Sequence, residues 1–108
     1  MSSRIRSALA ALSDAELGAL QTAAEMAPTD LALGLLAYIA HACDWELHRR
    51  SGHDFRLTGP MEAIAPDDLE VSATSLAVLS VSFKRRRRVR ELLDAIGDSL
   101  QEPPPTMH

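Results

Sequence analysis

The chain has 108 residues, 11 basic against 15 acidic for a formal net charge of −4, and nearly half of its residues are apolar while only four are aromatic. That length suits one domain whose core is built mainly from Leu and Ala, a composition that favours close helix–helix packing. Cys43 is the lone cysteine, which excludes an internal disulfide and fits a reducing, cytoplasmic setting.

Ile5, Ala8, Leu9 and Leu12 repeat at helical spacing and predict a short amphipathic first helix. Arg4 and Arg6 precede this patch, but it ends by Leu12 and is too short for the apolar core of a secretory signal. Ser13-Asp14-Ala15-Glu16 reads as a capping box, with Leu12 and Leu17 placed to close a hydrophobic staple across it. A second helix is expected from about Asp14 to Ala27, burying Leu17, Leu20 and Ala24 and stopped by Pro28. Thr29 is placed to cap a third helix, with Asp30 in its first turn, Arg49 and Arg50 at its end and Gly52 as the residue beyond it. Leu36, Ile39, Cys43 and Leu47 form its main stripe, and Leu31, Gly34, Ala37 and Tyr38 make a second apolar side. This helix is therefore expected to be central and covered on two sides. Its apolar stretch, Leu31 to Cys43, falls short of the roughly 20 residues a bilayer requires, and no membrane association is expected.

His53 to Pro66 reads as a connector punctuated by Gly59-Pro60 and Pro66, with a helical turn at Met61 to Ile64 and with Phe55 and Leu57 pinning it to the core. Its length also makes it a candidate binding loop. From Val71 a helical stripe runs through Val78, Ser82, Arg85, Val89, Leu92, Leu93, Ile96 and Leu100, whereas Leu79 to Phe83 alternates at period two as a strand does. Helix is preferred because no other segment offers a strand to pair with. Continuous from Ser72 to Leu100, it would be about 43 Å long, against roughly 30–35 Å for a domain of this size. It must break near Ser80–Phe83 or project from the protomer, and projection would favour a homodimer. The expected fold is an all-α bundle of about four helices over residues 1–101, the last helix long or broken near 80–83, followed by a disordered Pro-rich tail over 102–108.

Function is written most clearly in charge. Lys84, Arg85, Arg86, Arg87, Arg88 and Arg90 place six cations in seven residues, and the rest of the chain carries five basic against fifteen acidic side chains. Such segregation creates a local field that a mixed surface cancels. Five arginines to one lysine suit a bidentate grip on carboxylate or phosphate. On a continuous helix Arg85 would fall on the apolar stripe and snorkel, while Glu91 and Asp94 would pair with Arg87 and Arg90 at i+4. The plainer alternative is a solvated face neutralised by acids such as Asp67, Asp68 and Glu70, within the protomer or across a dimer. No aromatic residue interleaves the run, so base stacking has no support, and any nucleic-acid binding would be phosphate-led and independent of sequence. A helix-turn-helix reading of 14–50 fails because its second helix opens on Asp30-Leu31-Ala32-Leu33-Gly34, with almost no donors for base edges.

Other chemistry finds little footing. His41, Asp44 and His48 share a helical face, but the histidines stand about 10.5 Å apart along the axis, too far for one ion. Asp44 is expected to bond one histidine, with Trp45 beside them. His53-Asp54 matches the metal-dependent HD phosphohydrolases in that dipeptide alone; those enzymes also need a separated His and a later Asp from other helices. Cys43 lies on the core stripe, where a thiol is inert. No Gly-x-Ser-x-Gly elbow or phosphate-binding glycine loop is present. The chain is expected to be a non-enzymatic interaction or regulatory module without metal or cofactor, using 84–90 to bind an acidic protein surface. The same patch gripping DNA or RNA phosphate is the alternative, and a metal-dependent hydrolase is the one enzymatic reading left.

Overall fold

The computed structural model describes residues 3–28, 30–52 and 68–101. They form five helices, with no strand among the described residues: α1 (Ser3–Ala11), α2 (Asp14–Glu25), α3 (Leu33–Ser51), α4 (Leu69–Ser82) and α5 (Arg87–Gln101). The architecture is all-α, and the period-two pattern of Leu79 to Phe83 is overridden by helix. The expected cap at Thr29, the connector with Phe55, Leu57 and the Met61–Ile64 turn, and the tail at 102–108 lie outside the described residues.

Local sequence chemistry explains most of the boundaries. Ser13 and Glu16 form the capping box of α2, with Oγ accepting from the Glu16 amide at 3.1 Å and the Glu16 carboxylate accepting from the Ser13 amide at 3.0 Å. Leu12 and Leu17, flanking this cap, are both buried. α3 ends at Gly52, whose φ of 75° lies in the left-handed region and lets its amide reach the Arg49 and His48 carbonyls. Asp68 caps α4 by accepting from the Glu70 and Val71 amides at 2.9 and 3.2 Å.

The start of α3 departs from expectation. The helix begins at Leu33 with no acidic residue in its first turn, and Ala32 at its N-cap has no side-chain oxygen to offer. Its amide instead donates to Ser75 Oγ on α4 at 2.9 Å, and that hydroxyl donates in turn to the Val71 carbonyl at 2.9 Å. The cap is supplied by tertiary structure.

α2 and α3 form an antiparallel pair through the turn at Pro28, and α4 and α5 another through residues 83–86. α1 lies against α5 and, less extensively, α3. It runs antiparallel to α5, because Arg4 near its start ion-pairs with Asp98 and the Ala11 carbonyl at its end accepts from Arg88 at 3.3 Å. One core joins the two pairs: Ile5 and Leu9 of α1, Leu17 and Leu20 of α2, Leu35, Tyr38 and Ile39 of α3, and Val89, Leu92, Leu93 and Ile96 of α5. Cys43 is fully buried within it, and burial pushes its thiol up to about 12. α3 is the central helix, but only Tyr38 of its second apolar side is fully buried, Ala37 being exposed.

The long helix breaks. Ser82 is the last residue of α4, Phe83 caps it, and 83–86 turn before α5 starts. The turn is closed by Lys84 N–H to the Val81 carbonyl at 3.3 Å and Arg86 N–H to the Phe83 carbonyl at 2.8 Å. An unbroken helix would have carried Arg85 onto the buried stripe, where its charge would be desolvated. The break leaves Val89 to begin a clean apolar face on α5 and keeps Arg85 in solvent. It also resets α4. The expected stripe through Val71, Val78 and Ser82 is wrong for this helix: Ser72, Ser75 and Leu79 face inward, while Val71, Val78 and Val81 are exposed. With the break in place no 43 Å helix projects, and that ground for a homodimer is gone.

Candidate functional site

The six cations straddle the break. Lys84, Arg85 and Arg86 sit on the turn; Arg87, Arg88 and Arg90 occupy the first turn of α5; all six are exposed. The expectation that Arg85 would lie on the buried stripe is therefore corrected, and the whole set faces solvent.

How far the protein's own acids neutralise this patch can be read residue by residue. Arg87 Nε donates to Glu91 at 3.2 Å, the expected i+4 pair, with the arginine side chain 90 % exposed. Such a surface pair contributes only a few tenths of a kcal/mol. Arg90 donates to the Lys84 carbonyl at 3.2 Å instead of to Asp94, closing the turn across its mouth. Arg88 donates to the carbonyl of Ala11, one of the unfilled acceptors at the end of α1. Glu16 is held below the usual carboxylate range chiefly by the Ser13 amide, with the Arg86 and Arg88 charges adding to the effect. No side-chain hydrogen bond or ion pair joins Lys84, Arg85 or Arg86 to a described residue.

Ser13, Glu16 and Arg85 to Arg88 surround an open hollow of about 370 Å³ between the head of α2 and the break. The amino end of α5 points the same way. Its first turn contains no acidic residue, although the helix dipole favours negative charge there. Cations at this end oppose the dipole, so an external anion would satisfy both the exposed arginines and the first amides of α5. The patch thus combines a turn, a helix end and a fringe of carboxylates at Glu16 and Glu91.

The histidine-centred candidate resolves differently. His48 Nδ1 lies 2.8 Å from the Asp44 carbonyl oxygen and 3.2 Å from Asp44 Oδ1, a pairing within one helical turn. Trp45 lies under the Arg6 guanidinium, whose central carbon is 5.9 Å from the ring centroid, tying α3 to α1. Among the described residues no three His, Cys, Asp or Glu side chains converge as a metal site would require. His53 and Asp54 lie outside the described residues.

Two features escaped the sequence reading. Glu46 is fully buried, and Arg49 grips it through Nε at 3.0 Å and a terminal nitrogen at 2.6 Å while Arg50 Nε adds a third bond at 2.9 Å. Burial pushes this carboxyl up, but the bonds and charges of Arg49 and Arg50 together outweigh it and hold the pKa low. Arg50 goes on to Asp14 at 2.8 Å and to the Leu9 and Ala10 carbonyls at 3.1 and 3.2 Å, locking α3 to the α1–α2 corner. The i, i+3 and i, i+4 spacing of Glu46, Arg49 and Arg50 was the available signal. The second feature is the exposed valine face of α4, for which periodicity alone pointed the wrong way. No helix among the described residues is long and apolar enough to cross a membrane.

Comparison with protein-family models, with curated proteins and with solved structures finds no match to this chain.

Proposed function

We propose that this protein is a non-enzymatic, cytoplasmic interaction module that binds an acidic protein surface through Lys84, Arg85, Arg86, Arg87, Arg88 and Arg90, in a regulatory role. The observation that carries this reading is the exposed set of cations, of which Lys84, Arg85 and Arg86 have no acidic partner among the described residues, gathered at a helix amino end that itself favours anions. Arginine forks grip carboxylates in pairs, as they do phosphates, so the grip by itself does not choose between them. The acidic fringe matters for the choice of partner. Glu16 lines the hollow, Glu91 sits beside the patch on Arg87, and the remainder of the chain is acidic, so a continuous phosphate backbone is repelled on either side of the patch. A short acidic segment of a protein that ends within the patch avoids that repulsion.

The test uses a fluorescent poly-glutamate peptide and, in parallel, labelled random duplex and single-stranded DNA and RNA, across about 50 to 200 mM salt. The comparison protein carries Arg85→Gln, Arg86→Gln, Arg87→Gln and Arg88→Gln. Binding of the acidic peptide by the wild type, weakened at least about tenfold in the variant, is the expected result. Salt-steep binding of nucleic acid with none of the peptide would replace this reading by phosphate binding. No binding of either probe at low salt would remove the patch as a binding site.

A further inference from the structure

α4 is assembled with its polarity reversed. Its buried side carries Ser72, Ser75 and Leu79, and its open side carries Val71, Val78 and Val81 at 38, 44 and 70 % exposure. Among the described residues α4 packs chiefly on α5, and none of them covers the valine side. With Thr74, these residues fall at 71, 74, 78 and 81, the 3–4–3 spacing with which one helix presents a seam to another.

We propose that this face is the seam of a homodimer in which α4 pairs with α4 of a second copy, antiparallel. Charge selects both the occupant and the direction. The helix is acidic at its head, at Asp68 and Glu70, and the turn just beyond its end is basic, at Lys84 and Arg85, with only uncharged residues between. Parallel pairing would set acid on acid and base on base. Antiparallel pairing sets each acidic end on the partner's basic end, twice, by symmetry. The register follows from the spacing. When Val71 faces the partner's Val81 and Thr74 faces the partner's Val78, the same alignment brings Asp68 level with the partner's turn that carries Lys84. The Asp68 carboxylate is already held at the head of the helix by the Glu70 and Val71 amides, so its charge is fixed in place.

Fourteen residues give a seam about 21 Å long. An interface built around one such helix lies at or below the small end of stable dimers, about 1,200 Å² in total. Association is therefore expected to be weak and to depend on concentration. This seam is distinct from the grip on an acidic partner proposed above, with Lys84 and Arg85 at the boundary of the two.

Sedimentation equilibrium of the full chain from 1 to about 300 μM tests the association, and cysteine pairing tests its geometry. Val78→Glu lies on the exposed side and leaves the core intact; it is expected to weaken dimerisation at least about tenfold while keeping the helical circular dichroism and the poly-glutamate binding of the wild type. Val71→Cys and Val81→Cys proteins, mixed under mild oxidation, are expected to cross-link far more than either alone, because in this register like positions stand about 15 Å apart along the axis. Cys43, buried with its thiol pushed up to about 12, does not compete. A monomer mass throughout the range, a Val78→Glu protein that dimerises as well as the wild type, or Val71→Cys cross-linking as readily alone as in the mixture would each overturn the proposal. Loss of poly-glutamate binding in a protein carrying only Arg86→Gln, Arg87→Gln and Arg88→Gln, with dimerisation unchanged, would show the two sites to be separate and leave the seam standing.

Discussion

Ser72 and Ser75 stand nearly one turn apart on the buried side of α4, and their hydroxyls do opposite things. Ser75 Oγ accepts from the Ala32 amide and donates to the Val71 carbonyl, so it satisfies a donor that α3 cannot cap for itself. Ser72 Oγ is buried without a partner among the described residues. Ser75→Ala should destabilise the fold by about 1–2 kcal/mol, the cost of leaving a buried amide unsatisfied. Ser72→Ala should be neutral or slightly stabilising, since it removes a polar atom that gains nothing from burial. Urea denaturation of the two variants checks the contrast, and an equal loss in both would refute the assignment of the α3 cap to Ser75. Neither role was legible in the sequence, where a serine every third residue of a helix looks like solvent-facing filler. Their place in the core follows from the phase of α4, and that phase is set by the break beyond it.

At the scale of the helices, the ends were the most readable part of the chain. The Ser13–Glu16 box and Gly52 depend on residues within four positions of one another, so local chemistry decides them before any packing exists. Gly52 gives a clean measure of this. A Cβ added there meets no atom within 4 Å, and the only penalty is the left-handed backbone at φ 75°. Gly52→Ala should therefore cost about 1 kcal/mol, and Gly52→Asn less, because Asn tolerates that conformation. Thermal melts of both variants test it; equal losses would mean that something other than backbone conformation holds the end of α3. α5 was legible for a different reason. Val89, Leu92, Leu93 and Ile96 lie on one face of a helix otherwise rich in charge, and a pattern that strong leaves a single orientation. α4 offered no such pattern, because apolar residues surround it and its serines are small enough to be buried.

The whole molecule is tied at one corner by Glu46. Its carboxylate binds Arg49 and Arg50, and Arg50 reaches the end of α1 and the head of α2, so one buried charge links three helices. Glu46→Gln should destabilise by about 2 kcal/mol, less than the roughly 3–5 of a fully enclosed pair because Arg49 is half exposed and can regain water. The pH dependence has a definite sign. The Glu46 pKa is lowered in the folded state, so its contribution is complete above the unfolded value near 4.3 and is lost as pH falls through the lower folded value. The stability gap between wild type and Glu46→Gln, measured by urea melts from pH 7 down to pH 3, should narrow on the acid side. A gap independent of pH would show that packing, not ionisation, carries the effect.

The sequence by itself determined the helical class, the capping box that starts α2, the glycine that ends α3, the inward face of α5 and the segregation of charge at 84–90. Each of these is written either in residues a few positions apart or in a composition that folding does not alter. Only the tertiary structure decided that Arg85 stays in solvent, that Ser75 caps a helix 43 residues away in sequence, that Glu46 is buried, and that the valines of α4 face outward. These depend on where one chain segment meets another. A break of four residues between α4 and α5 rotates every side chain before it relative to every side chain after it, and no local pattern records the size of that rotation.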